Sequence, residues 1–88
     1  MKRTASAKTI DAVKAWLGDQ GILFFRDVRK EYGRINAVWV EEGGIPHAVH
    51  FREGMEVRNQ LRSTDECKDW DAHDLDDSWV GIIEEAIK

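Results

Sequence analysis

The sequence predicts a small α+β domain in which helices pack on a central antiparallel β-hairpin or small sheet. Three observations carry that expectation. Near the end of the chain, Trp79, Ile82, Ile83, Ala86 and Ile87 recur at i, i+3, i+4, i+7 and i+8, the spacing of one helix face. In the middle, Ile35–Val40 and Ile45–Phe51 are rich in β-branched and aromatic residues and flank the polar turn Glu41, Glu42, Gly43, Gly44. Finally, 88 residues suffice for one modest core and no more.

Taken in order, the first element is a helix over 10–17. Ile10, Val13, Trp16 and Leu17 fall at helical spacing, Thr9 is suited to the N-cap, and Gly18 offers a stop. The next segment, 22–32, can be read as helix or strand. Ile22–Phe25 alone resembles a buried strand, whereas Phe25, Val28 and Tyr32 stand at i, i+3 and i+7, and its length favours a helix ending at Gly33. Pro46 lacks a backbone N–H, so it belongs at the start of the second strand or on an edge. Val49 and Phe51 should then share one face of that strand.

Val57 and Leu61, four residues apart among charges, predict a short helix over 54–62 with a narrow apolar seam. The acidic stretch 64–77 then requires an anchor, and Trp70 is the expected one. Asp76 or Asp77 is expected to cap the last helix. The resulting order is ααββαα. All 88 residues form a single domain, with residues 1–8 expected to be flexible.

Composition narrows the function classes. Hydrophobic residues make up 42% and charged residues 34%, a balance that suits a folded soluble domain. No apolar run is longer than Ile22–Phe25, which is far shorter than the roughly 18 residues of a membrane span, and the basic start lacks the apolar stretch of a secretory signal. Cys67 is the lone cysteine, which points to a reducing compartment and hence the cytoplasm. The charge is uneven: residues 1–34 carry eight Lys/Arg against four Asp/Glu, and residues 35–88 carry five against thirteen. Such a dipole steers charged partners, although the acidic half repels phosphate.

These features favour a small noncatalytic protein-interaction module, monomeric or homodimeric, that needs no cofactor. Its candidate contact residues are Trp70, Asp71 and Asp74 of the acidic stretch, with Arg58 and Arg62 of the preceding helix. Arg52, Arg58 and Arg62 lie near Glu53 and Glu56, so ion pairing competes with recognition as their use. An alternative is a nucleic-acid-binding regulator using Arg26, Arg29, Lys30 and Arg34, a basic helix ahead of a hairpin as in winged-helix proteins, but Asp27 and Glu31 interrupt the cluster.

A second alternative is a metal-binding protein using His47, His50, Cys67 and His73. On a regular strand His47 and His50 point to opposite faces, so joint ligation demands a bend. The aspartates between 69 and 77 do not follow an EF-hand, because His73 and Asp74 fall at positions 5 and 6 counted from Asp69. Gly43 and Gly44 lack the Lys-Ser/Thr ending of a phosphate loop, and no nucleophile stands in a recognised catalytic arrangement.

Overall fold

The structure, a computed structural model, describes residues 2–88. Helix α1 (Ala7–Tyr32) comes first, followed by strands β1 (Val38–Val40) and β2 (Pro46–Ala48), then helices α2 (Glu53–Arg62) and α3 (Ala72–Ala86). Single 3-10 turns, Glu42–Gly44 and Val49–Phe51, join the strands and lead out of the second. The two predicted N-terminal helices are the halves of α1, broken at Gly18, whose φ of 66° and ψ of −179° leave the helical region. The ambiguous segment 22–32 is helical, and Gly33 closes it in the left-handed conformation with its N–H on Arg29 O.

Ser6, rather than Thr9, caps α1, because the helix starts a turn earlier than its apolar stripe does. Ser6 Oγ accepts from Thr9 N at 3.4 Å, and Thr9 itself is buried. The Glu66 carboxylate on the loop before α3 secures the same turn: it accepts from Ser6 N, Ser6 Oγ and Thr9 Oγ1, the last at 2.6 Å. Helix α3 likewise starts earlier than expected. Asp71 is its cap, accepting from Asp74 N at 2.7 Å, so Asp76 and Asp77 lie inside the helix.

The core lies between the three helices and the inner side of the ribbon. Val13, Phe25 and Val28 of α1 meet Val57 and Leu61 of α2 and Leu75, Trp79, Ile82, Ile83 and Ala86 of α3, with Ile35, Val49, Cys67 and Ile87 filling the joints. Helix α2 approaches α3 closely because position 54 has no side chain. A Cβ on Gly54 would stand 2.7 Å from Trp79 Cζ2 and 3.0 Å from Val49 O. Trp79 Nε1 is buried without a hydrogen-bond partner among the described residues, so no hydrogen bond from the indole orients this ring.

Two expectations about apolar residues are corrected. Trp16 is 41% exposed, because it lies about 60° to one side of Val13 on the helix while Ile10 and Leu17 lie to the other, toward the core. Val49 and Phe51 do not share a face: their segment winds into a 3-10 turn instead of continuing β2, which buries Val49 and leaves Phe51 72% exposed. None of the described helices is long and apolar enough to cross a membrane.

A candidate interaction surface on the β-ribbon

The ribbon is antiparallel, with Val38 opposite Ala48, Trp39 opposite His47 and Val40 opposite Pro46. Since side chains alternate along a strand, Trp39 and His47 share the inner face, and Val38, Val40, Pro46 and Ala48 share the outer one. The inner face is braced by a continuous stack of three rings. Tyr32 at the end of α1 lies on Trp39 (centroids 5.0 Å apart, planes 4° apart), and Trp39 lies on His47 (4.3 Å, 7°).

Two carboxylates hold the last ring of that stack. His47 Nδ1 is 2.9 Å from Glu41 Oε1 in the hairpin turn, and Nε2 is 2.7 Å from Glu53 Oε1 in the first turn of α2. Carboxylates only accept, so both contacts are complete when both ring nitrogens carry hydrogen. The buried imidazole thereby ties the hairpin to α2, while the stack ties it to α1. A lone hairpin is marginal in water, and this bracing fixes the present one on its helices.

The outer face has no such cover. Val38 is 64% exposed and Val40 70%, and neighbouring Pro46 and Ile45 are exposed as well. The backbone register matters as much. Val49 N donates to Ala37 O and Glu41 N donates to Ile45 O, so the odd-numbered residues of this segment face β2 in hydrogen-bonded pairs. The N–H and C=O groups of Val38 and Val40 therefore point away from β2, along an edge beside which the sheet has no further strand. On the opposite edge, Pro46 supplies no N–H to a neighbour. The ribbon thus offers one competent edge.

The residues singled out from the sequence are largely engaged within the molecule. Arg58 is buried in α2, with Nε 3.2 Å from Asp76 Oδ1 and its guanidinium over the Trp79 ring at 5.9 Å. Burial lowers its pKa from the ordinary arginine value, and the Asp76 carboxylate opposes that shift. Arg62 donates to Asn59 Oδ1 on its own helix. Trp70 is half-buried against the core beneath the Arg3 guanidinium at 5.3 Å, and Arg3 also reaches Asp74 Oδ2 at 3.2 Å and donates through its backbone N–H to Ser78 Oγ at 2.7 Å. Asp71 is the cap described above, so Trp70, Asp71 and Asp74 come together where the chain's first residues cross the start of α3.

In the basic cluster, Arg26 donates from Nε to Ile87 O at 2.7 Å and so binds the end of α3. Arg29 and Lys30 lie in the last turn of α1, where cations complement the helix dipole, and Arg34 is exposed just ahead of the ribbon. The metal candidates stay apart: His47 sits between its two glutamates, His50 is 3.4 Å from Arg58, and His73 lies 3.8 Å from Asp77 on the exposed side of α3. Among the described residues, no group of three or more His, Cys, Asp or Glu is arranged to hold a metal ion. Cys67 is fully buried, and burial pushes its thiol pKa upward, against the effect of a hydrogen bond with Thr64. The thiol packs among the core side chains.

A surface depression of about 610 Å³ between the start of α1 and the loop before α3 includes Thr9, Gln60, Thr64 and Glu66. The Glu66 carboxylate in it is already engaged by Ser6 and Thr9, and Asp65 lines it as well. Sequence reasoning missed the two valines and the Glu41–His47–Glu53 bridge. The signal for the valines was the unbroken apolar run Val38-Trp39-Val40, since a strand apolar on both faces is either covered twice or offers one face to a partner. The bridge had none, because His47 stands six residues from each glutamate, a spacing that only a hairpin followed by a helix brings together. Comparisons with protein-family models, curated proteins and solved structures found no match to this chain.

Proposed function

We propose that this domain is a noncatalytic protein-interaction module whose contact surface is the outer face and free edge of the β-ribbon. The observation that carries the reading is the coincidence, at Val38 and Val40, of exposed apolar side chains with outward-pointing backbone groups. Exposed apolar side chains suit a protein partner, and an unpaired edge suits an extended segment that adds a strand. The bracing of the inner face supports it too, because a ribbon already held in place loses little conformational freedom on binding. The burial of Cys67 and the use of Arg26 to close the end of α3 are consistent with a noncatalytic role, and the lone cysteine with a reducing, cytoplasmic setting.

The test is site-specific photocrosslinking in the expressing cell, with a photoreactive amino acid replacing either Val40 or the exposed Lys14 of α1. The expected result is a discrete protein adduct from position 40, absent from position 14 and lost when Val38→Lys is added. Equal adducts from both positions, or none from position 40, would overturn the reading.

A further inference from the structure

We infer that the strand received by the free edge of β1 is β1 of a second copy, paired antiparallel about a two-fold axis at Trp39. This rests on the ribbon being the contact surface, as argued above, and specifies its partner. In that register Val38 of one protomer faces Val40 of the other, and each of the two symmetric pairs exchanges two N–H···O bonds through the groups that point away from β2. The two ribbons become one four-stranded sheet in the order β2, β1, β1, β2. Pro46 lies at both outer rims, where its missing N–H stops further growth.

Charge complementarity selects a second copy. Arg34 precedes β1 and Glu42 follows it, and both are exposed without an ion pair among the described residues. Antiparallel self-pairing sets the start of each strand beside the end of the other, and in this register Glu42 falls opposite Asn36 of the partner subunit, two positions from its Arg34 and within that side chain's reach, twice over by symmetry. A parallel neighbour would oppose like charges. The valines contribute as well: they stand on one face, and β-branched side chains in adjacent strands pack against each other across the new junction.

Two interstrand pairs and a few side chains make a small interface, so association is weak and concentration-dependent. Sedimentation equilibrium on the full chain reads it directly, comparing wild type with Arg34→Glu, Glu42→Arg and the double exchange. Each single variant makes both charge contacts repulsive and should raise the dimer dissociation constant by roughly 10-fold, whereas the double variant should return to the wild-type value. Net charge alone predicts otherwise: starting from −4, Glu42→Arg would strengthen association and Arg34→Glu would weaken it. Both positions are exposed, and circular dichroism should confirm that the variants fold.

A wild-type chain that stays monomeric at millimolar concentration, or a dimer indifferent to both single exchanges, would overturn self-pairing. If the chain is monomeric but Val40 crosslinks a different protein, only this inference falls. If Val40 crosslinks nothing, the contact surface itself is wrong.

Discussion

Single residues set the tolerances of this core, and Gly54 shows how two opposing effects are decided. Inside a helix Gly→Ala ordinarily stabilises by about 1 kcal/mol, and by less at Gly54, which lies in the first turn of α2. Here the new methyl would meet the ring of a fully buried Trp79 and the Val49 carbonyl, neither of which can swing aside into solvent. Overpacking of this kind costs about 1–3 kcal/mol, so the clash outweighs the helix preference. Gly54→Ala should therefore lower the unfolding free energy by about 1–2 kcal/mol in urea denaturation, with its largest spectral effect on tryptophan fluorescence. An unchanged or raised midpoint would show that α2 is free to move away from α3.

Elements in this fold are defined by where they stop. Gly18 is legible in the sequence as the end of a helical stripe, and the structure gives the physical reason. With φ at 66° and ψ at −179°, the backbone there occupies a region that is essentially open to glycine alone. No atom lies near the position a Cβ would take, so the penalty for a side chain is backbone strain without a clash. Gly18→Ala should lose about 1–3 kcal/mol. Straightening of α1 would relieve that strain only by drawing Val13 or Phe25 out of the core, and equilibrium unfolding together with hydrogen exchange across 7–32 would reveal it. Caps were less legible than stops, because Ser6 and Asp71 each stand a turn or so ahead of the apolar pattern that flags their helix.

At the scale of the whole molecule, distant segments are joined by polar clamps, and the uneven charge is partly consumed in making them. Arg3 meets Asp74, Arg26 closes on the last carbonyls, and Glu66 reaches back to the first turn of α1. Glu66 carries a pH dependence. The hydrogen bond from Thr9 and those from Ser6 favour its charged form and hold its pKa below the ordinary value of 4.5. Because the folded-state pKa is the lower one, the stabilisation is complete above the unfolded-state value and is lost as pH falls through the folded-state value. Glu66→Gln should thus unfold at lower urea than wild type at pH 7, and the difference should shrink steadily below pH about 4.5. A difference independent of pH would mean that the clamp acts through shape rather than charge.

By itself the sequence determined the fold class, the breaks at Gly18 and Gly33, the place of Pro46 and the buried face of α3. Each of these follows from local periodicity or from the backbone limits of one residue type, which act wherever the residue stands. Only the tertiary structure decided which apolar residues face outward and which polar residues meet. Trp16 and Val40 resemble core residues in composition, and His47 resembles a metal ligand, until the neighbours in space are known. A side chain's exposure and partners depend on contacts between segments distant along the chain, and no local pattern encodes them. The same holds for the ribbon: its apolar strands are written in the sequence, whereas the edge left open at Val38 and Val40 exists only once the helices have closed behind it.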